Sequence, residues 1–258
     1  MATKITIIKI GGNVIDDNYL LAKFLEKFSY IEGDKILIHG GGKIATQYAE
    51  KLGIETKMVN GRRITNDQML DVVTMVYAGL VNKKIVAQLQ ALNINAIGIC
   101  GADGNLIQAK KRAHPEIDFG FVGDIEQVNT TFLQQLINQS LTPIISPITH
   151  NALGNLLNTN ADTICSAIAL ALAKVREVSV VFCFEKLGLL RDINDESSLI
   201  TSVRHKQIKS LIEEKIIVEG MIAKVENIAH LLENHISVVR LCHADNIDQP
   251  ELGTTFSI

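Results

Sequence analysis

The chain has 258 residues, enough for one large domain or two modest ones. Hydrophobic residues make up 47% of it and charged residues 21%, which excludes an intrinsically disordered chain. The 25 basic side chains against 28 acidic ones give a net charge of −3, so the composition does not indicate a nucleic-acid-binding module. No apolar run approaches the roughly 18 residues that a membrane-spanning helix needs.

Strand-like and helical segments alternate along the chain, which predicts an α/β fold. Short runs rich in Ile and Val predict strands buried on both faces, at Thr6–Ile10, Lys35–His39, Ala96–Cys100, Pro143–Ile148, Val178–Phe182 and Val238–Leu241. Helical patterns lie between them, at Tyr19–Phe28, Lys43–Leu52, Asp67–Leu92, Phe132–Asn138, Ala161–Ala173 and Met221–Asn234. We expect a three-layer αβα sandwich with a mainly parallel central sheet.

Two hairpin-like insertions interrupt the alternation. One is Thr56–Thr65 around the turn dipeptide Asn60-Gly61, and the other runs from Asp103 to Asp124. Since no linker or repeat divides the chain, residues 1–258 are predicted to form one domain. We expect an N-lobe of about 1–174 and a C-lobe of about 175–258.

Cysteine use and the first residues bear on the compartment. The four cysteines, at 100, 165, 183 and 242, have no CxxC spacing and lie in apolar surroundings, so we expect small core hydrophobes. The first apolar stretch is cut by Lys9, and no signal peptide is visible. These features predict a cytoplasmic protein.

A lysine and two glycines end the first predicted strand, in the string KIGG at residues 9–12. Ligands of open α/β sheets bind at the carboxyl ends of strands, and glycines there let backbone N–H groups approach a phosphate. A plain turn beside a surface lysine explains the string equally well.

The string HGGGK at residues 39–43 lies between a predicted strand and a helix. Three successive glycines favour a backbone that contacts an anion at a helix N-terminus. A Walker P-loop is excluded, because Leu37 and Ile44 occupy the positions of its required Gly and Ser or Thr. A dinucleotide-binding fingerprint fits only loosely, since no acid ends the following strand near Met58–Arg62.

Three further polar strings stand out: NGRRIT at 60–65, NTNAD at 158–162 and EGMIAK at 219–224. Arginine suits carboxylates, although a basic hairpin tip in solvent is the alternative. Asn160 is a predicted helix cap, and an Asp162 buried at the start of so apolar a helix needs a cationic partner. Lys224 interrupts an apolar helix face, where a lysine extending to solvent is the alternative.

In this order and spacing, these five strings and GADG at 101–104 resemble the amino acid kinase superfamily and, within it, the N-acetylglutamate kinases. The resemblance covers essentially the whole chain. It implies phosphoryl transfer from ATP to the γ-carboxylate of N-acetyl-L-glutamate, in arginine biosynthesis. It also implies Mg²⁺ bound mainly by phosphates and water, with no protein ligand named for the metal.

The resemblance also implies residue roles. The implied catalytic residues are Lys9 and Lys224, which stabilise the transferring phosphoryl group, and Asp162, which holds both lysines in place. The implied substrate-binding residues are Gly41, Gly42, Arg63 (on the α-carboxylate), Asn158 and Asn160. The implied nucleotide-binding residues are Gly11, Gly12, Glu185, Lys186, Leu187, Gly188, Leu189, Leu190, Ile216, Ile217, Val218 and Gly220.

One segment departs from the family pattern. Phe184 and Glu185 replace a small hydroxyl residue and an aspartate in the nucleotide lobe. Glu185 keeps the charge on a longer arm. Phe184 either crowds the nucleotide site or offers the base a flat partner.

Three alternatives stay open. They are another kinase of the superfamily, acting on carbamate, aspartate, glutamate or UMP; the same reaction on another N-acylglutamate, such as N-succinyl-L-glutamate; and a non-catalytic ligand-binding paralogue. NGRRIT together with NTNAD favours the acylglutamate branch, and the presence of Lys9, Asp162 and Lys224 favours an enzyme.

Assembly is predicted from the first strand and from the long helix. Arginine-inhibited members of the family carry an extra N-terminal helix, for which a strand starting near Ile5 leaves no room. We therefore expect a homodimer without arginine feedback. Its interface is predicted on Asp67–Leu92, where Leu70, Val73 and Tyr77 recur at helical spacing.

Overall fold

The computed structural model describes residues 4–59, 61–217 and 221–258. The strands, in chain order, are β1 Lys4–Ile10, β2 Asp34–His39, β3 Met58–Val59, β4 Arg62–Arg63, β5 Ala96–Ile99, β6 Ile107–Lys111, β7 Gly123–Val128, β8 Thr142–Ile145, β9 Ile148–His150, β10 Leu156–Asn158, β11 Glu177–Phe184, β12 Leu189–Leu190, β13 Leu199–Ile200, β14 Ser202–Arg204, β15 Val238–His243 and β16 Thr254–Ser257. The helices are α1 Gly12–Asp16, α2 Asn18–Ser29, α3 Gly42–Lys51, α4 Asp67–Val73, α5 Asn82–Ala91, α6 Thr130–Asn138, α7 Ala161–Leu172, α8 Ile208–Glu213 and α9 Ile222–Glu233, with a π-helical segment, Thr74–Val81, between α4 and α5.

The chain divides into two compact units, which differ from the predicted lobes of about 1–174 and 175–258. Unit one contains the described residues up to Lys35 together with Ile168–Ile258, and unit two is Ile36–Ala167. The difference arises from β1, which pairs in parallel with β11, from Lys4 opposite Glu177 to Ile10 opposite Cys183. This ladder joins the N-terminal strand β1 to the C-terminal part of the chain within unit one.

Unit one is built on strands in the order β14-β16-β15-β11-β1, of which β15, β11 and β1 run parallel. Residues 180–184 of β11 are all buried, as expected for a strand covered on both faces. The helices bury one apolar stripe each, which in α2 consists of Leu21, Phe24, Leu25 and Phe28.

Unit two holds the parallel strands β2-β8-β5 and a second, largely antiparallel sheet in the order β10-β9-β6-β7. Every predicted strand and helix is present, although the segment predicted as Pro143–Ile148 ends at Ile145 and a new strand starts at Ile148. The predicted α/β class with mainly parallel pairing is confirmed. No helix in the described ranges is long and apolar enough to cross a membrane.

The predicted long helix Asp67–Leu92 exists but contains the π-helical segment. Val73 is fully buried and Tyr77 is 5% exposed within the chain's own core. The prediction that Val73 and Tyr77 face a second subunit was therefore wrong, because the chain itself covers both side chains. An interface elsewhere on this long helix stays a prediction. Met75, in contrast, is 57% exposed.

Candidate active site

Arg63 joins the hairpin of the NGRRIT string to the glycine loop. It lies on β4, is 7% exposed, and donates from Nη2 to the carbonyl oxygen of Gly42 and to Oγ1 of Thr46, both at 2.9 Å. Its Nη1 donates to Oγ1 of Thr56 at 3.2 Å. The guanidinium is therefore held rigidly at the start of α3, with much of its donor capacity directed to protein acceptors.

Asn158 connects the NTNAD string to Arg63 through Thr65. Its Nδ2 donates to Oγ1 of Thr65 at 3.0 Å, and Thr65 Oγ1 donates to the carbonyl oxygen of Arg63 at 2.9 Å. Thr65 is fully buried. Residues from HGGGK, NGRRIT and NTNAD thus form one hydrogen-bonded group, which we call the unit-two cluster.

Gly41 gives the glycine loop a shape that other residues rarely adopt. Its φ of 144° lies in the region that favours glycine. A Cβ at this position would lie 3.1 Å from the ring of Tyr77 and 3.4 Å from Val81, both in the π-helical segment. The loop therefore packs its backbone directly against that segment before α3 begins at Gly42.

Asn160 and Asp162 lie at the start of α7. Oδ1 of Asn160 accepts from the backbone N–H of Asp162 at 2.9 Å and from that of Thr163 at 3.1 Å, so the predicted helix cap is confirmed. Asp162 lies in the first turn, where the helix dipole stabilises its negative charge, and its Oδ1 is buried.

The two adjacent arginines have different surroundings. Arg62 is partly exposed, and desolvation followed by the nearby charge of Arg112 lowers the pKa of its guanidinium. Arg112 itself donates from Nε to Asp124 at 2.9 Å. Arg63, rather than Arg62, belongs to the unit-two cluster.

In unit one, the KIGG string lies where β1 ends. Lys9 is 8% exposed, and the N–H of Gly11 donates to the carbonyl oxygen of Cys183 at 3.0 Å. A Cβ on Gly11 would lie 3.4 Å from that oxygen and 3.8 Å from Phe184. Gly12 is the first residue of α1. The close approach of two strand ends, rather than a positive φ, accounts for Gly11.

A cavity of about 390 Å³ in unit one is lined by Lys186, Gly188, Leu189, Leu190, Arg191, Asp192, Ile193, Lys215, Ile216 and Met221. The lining includes several of the residues implied for nucleotide binding. Three basic side chains against one acidic one give this cavity an excess of positive charge, which favours a polyphosphate. Its size is that of a small-molecule site.

Other residues implied for nucleotide binding lie outside that lining. Gly11, Gly12, Glu185, Leu187 and Ile217 are not among its walls, and Ile217 is only 2% exposed. Phe184 is 4% exposed and packs in the core, which argues against a ring stacked on the base. Val218 and Gly220 lie outside the described residues. Lys224 is the third residue of α9 and is partly buried.

Sequence reasoning missed several contributors. Thr46, Thr56 and Tyr77 contact Arg63 or Gly41, but none belongs to a recognisable string. Thr46 had a possible signal, because it lies one helical turn after Gly42. The cavity is also lined by Arg191, which follows two leucines, and by Lys215, which follows two glutamates. In the sequence alone, neither position differs from that of an ordinary surface cation.

His39, at the end of β2, is fully buried. Its Nδ1 lies 2.8 Å from the carbonyl oxygen of Gly40, and its Nε2 lies 3.1 Å from Nδ2 of Asn82. Because a carbonyl only accepts and an amide nitrogen only donates, His39 is neutral and carries its proton on Nδ1. Burial lowers the pKa of His39 to about 4, which keeps the ring neutral near pH 7.

We expect acid to destabilise the protein through His39. The unfolded chain binds a proton at the ordinary pKa of about 6.5, whereas the folded ring does so only near pH 4. Stability from this group is complete above pH 6.5 and falls as the pH drops toward 4, by up to about 3 kcal/mol. Urea unfolding across this range should show a shallower pH dependence for His39→Asn than for wild type. Parallel curves would contradict the assignment.

Comparison with known proteins fits this geometry. The model described as the amino acid kinase family matches residues 4–240, and the chain belongs to that family. Within it, the acetylglutamate kinase of Phocaeicola vulgatus is 50% identical over 249 residues, covering 96% of this chain and 97% of the relative. The acetylglutamate kinase of Bacteroides fragilis is 49% identical over 247 residues, covering 96% and 95%.

Solved structures of the same fold are more distant in sequence. The N-acetylglutamate synthase of Neisseria gonorrhoeae, in a complex with coenzyme A and N-acetyl-glutamate, has a TM-score of 0.82 at 18% identity, over 99% of this chain and 59% of that one. The carbamate kinase of Giardia lamblia has a TM-score of 0.69 at 12% identity, over 99% and 98%. At these identities the likeness shows the fold alone.

Proposed function

We propose that this protein transfers the γ-phosphoryl group of ATP to the γ-carboxylate of N-acetyl-L-glutamate, giving N-acetyl-L-glutamyl 5-phosphate for arginine biosynthesis. The unit-two cluster is the observation that carries the proposal. NGRRIT and NTNAD, the two strings that favour the acylglutamate branch, are hydrogen-bonded to each other there through Asn158 and Thr65, and Arg63 joins them to Gly42 of HGGGK. Relatives near 50% identity over almost the whole chain support the same reaction.

The proposed roles follow from charge. The acceptor carboxylate is ionised at pH 7, so it attacks without a general base. Transfer then depends on positioning and on offsetting the repulsion between the carboxylate and the triphosphate. We assign this to Lys9, Lys224 and the N–H group of Gly12, with Asp162 holding the lysines. The role implied for the N–H of Gly11 is not proposed again, because that group donates to the carbonyl oxygen of Cys183. Arg63 binds the α-carboxylate of N-acetyl-L-glutamate, and the glycine loop with Gly41 and Gly42 binds the same substrate.

We propose Mg²⁺ as the companion of ATP. Within the described part of the chain, no three His, Cys, Asp or Glu side chains converge as a metal site. The triphosphate and water would hold most of the ion's coordination positions, and Asp192 is the carboxylate at the wall of the unit-one cavity. When bound, the ion neutralises phosphate charge.

The reaction is tested by a coupled ADP-release assay with one purified protein and a panel of acceptors. The panel contains N-acetyl-L-glutamate, N-succinyl-L-glutamate, free glutamate, aspartate, carbamate and UMP. The highest kcat/KM is expected for N-acetyl-L-glutamate, and hydroxylamine trapping should detect the acyl phosphate. A preference for the succinyl compound would support the same chemistry on another acyl group. Turnover of none of them would favour a non-catalytic binding protein.

The wall of the unit-one cavity gives a separate prediction. A Cβ on Gly188 would lie 2.6 Å from Oγ1 of Thr254, which is already fixed by accepting from the N–H of Leu189 at 2.8 Å. Gly188→Ala should displace this wall and raise the KM for ATP by roughly 10-fold, with a smaller change for the acylated amino acid.

Two further variants make that measurement decisive. Lys186→Met removes a cation from the cavity without a clash and should also raise the KM for ATP. Gly79→Ala is the matched control, since its Cβ would meet nothing within 4 Å. An unchanged KM for ATP in both cavity variants would show that the nucleotide does not bind in this cavity.

We also propose a homodimer in the cytoplasm. Met75 is 57% exposed on the π-helical segment, and an isologous contact would cover it. Four free cysteines in the described chain support a reducing compartment. Light scattering should give a molar mass of twice the chain mass for the wild type, and Met75→Asp should lower the measured mass. A wild-type monomer or hexamer would contradict the dimer.

A further inference from the structure

The π-helical segment and the first residue of α5 act on the glycine loop from one side. Tyr77 and Val81 lie against Gly41, and Asn82 follows immediately. A π-helical turn inside a longer helix is frequently found at functional sites. Asn82 is fully buried, which is unusual for an amide side chain and requires that its polar atoms be satisfied.

The hydrogen bonds of Asn82 fix its orientation. Its Nδ2 lies 2.9 Å from the carbonyl oxygen of Ile144 on β8, an atom that only accepts. Oδ1 accepts from Nζ of Lys83 at 3.2 Å. The second N–H of Nδ2 is therefore directed to Nε2 of His39. Gly98 on β5 leaves room for this arrangement, because a Cβ there would lie 1.9 Å from Oδ1 of Asn82.

The orientation of Asn82 decides which nitrogen of His39 donates. Since Nε2 accepts from Asn82, the ring proton lies on Nδ1 and is donated to the carbonyl oxygen of Gly40. In a trans peptide the C=O and the following N–H point in opposite directions. Holding the Gly40 carbonyl toward His39 therefore directs the N–H of Gly41 away from the core.

We propose that Asn82 and His39 are positioning residues, which hold the Gly40–Gly41 peptide so that the Gly41 N–H faces the anionic acceptor substrate. The inference rests on the proposed function for the identity of that substrate, an acylated glutamate. Neither side chain touches it. Their effect passes through one peptide plane, whose alternative orientation would present a carbonyl oxygen to an anion.

Three variants and one control separate this role from general packing. In His39→Asn the amide nitrogen is attached to Cγ, as Nδ1 is in histidine, so the donor to Gly40 is retained. In His39→Gln the nitrogen lies where Nε2 was, and that donor is lost. Asn82→Ala removes the partner that fixes the tautomer. Gln90→Ala is the control, since this amide on the same helix donates to Ala96 at 2.9 Å, far along the chain from the loop.

Kinetics supply the first readout. His39→Gln and Asn82→Ala should raise the KM for N-acetyl-L-glutamate about 10-fold or more, with the KM for ATP changed less than threefold. His39→Asn should restore most of the lost affinity. Equal changes for both substrates, or equal effects of His39→Asn and His39→Gln at matched melting temperatures, would overturn the proposal.

A second readout needs no substrate. Long-range ¹⁵N NMR of the wild type should show a protonated Nδ1 on His39, and Asn82→Ala should speed amide exchange at Gly41 but Gln90→Ala should not. A proton on Nε2, or unchanged exchange, would overturn the positioning role. A wild type that turns over no acceptor but shows this NMR pattern would instead contradict the proposed function and leave the positioning confirmed.

Discussion

Lys9→Ala is expected to lower kcat by about 10²–10⁴-fold, the range for removal of a charge that acts in the transition state. Lys9 is the second-last residue of β1, three positions before Gly12, whose N–H group is proposed to meet the phosphoryl oxygens. Lys9 as a residue is 8% exposed, and charge interactions are stronger in a buried environment than in water. Steady-state kinetics with both substrates saturating measure the effect.

The buried position of Lys9 calls for controls on packing. Lys9→Met keeps most of the aliphatic stem and removes the charge, so it should lose as much kcat as Lys9→Ala with less effect on melting temperature. Lys4→Ala makes the same change at the exposed start of β1 and should leave kcat within about twofold. Retention of kcat with a raised KM in the Lys9 variants would show a binding role instead.

The sequence was sufficient for the order of strands and helices because burial on both faces leaves a strong signal. β11, with residues 180–184 buried, is a nearly uninterrupted run of apolar residues. The units were harder to predict, since their boundary depends on the pairing of β1 with β11, which are far apart in the chain. The two-residue strands β3, β4, β12 and β13 are too short to carry a periodic pattern.

The candidate site also contains some features that the sequence identified and others that only the structure reveals. Glycines and charged residues in fixed order identified the strings, and structure then showed why some members are needed. In GADG, for example, a Cβ on Gly101 would lie 2.8 Å from the backbone of Thr149, and Asp103 accepts from the N–H of Cys100 at 2.7 Å, so both residues shape a tight turn. The burial of Phe184 and the hydrogen bonds of Asn82 depend on tertiary contacts that no local pattern records.

Arg63→Lys is expected to raise the KM for N-acetyl-L-glutamate by about 10²-fold while changing the KM for ATP far less. The guanidinium has planar, fixed donors, and Arg63 uses them to join Gly42, Thr46 and Thr56. We propose that the same group also binds the α-carboxylate of the substrate. A lysine carries the charge but cannot donate in all these directions. Both the shape of the loop and the contact to the substrate should therefore be weakened.

Arg62→Lys is the matched control, because it makes the same change one position earlier on the same strand. Arg62 lies near Arg112 and has no place in the unit-two cluster, so its variant should leave both KM values within about threefold. Melting temperatures separate binding from folding, since a buried arginine with several acceptors also stabilises the unit. Arg63 couples the hairpin to the glycine loop through its hydrogen bonds to Gly42 and Thr46, and this coupling is the reason to expect the larger effect there. A larger effect at Arg62 than at Arg63, or an equal rise of KM for both substrates, would therefore place the substrate carboxylate elsewhere.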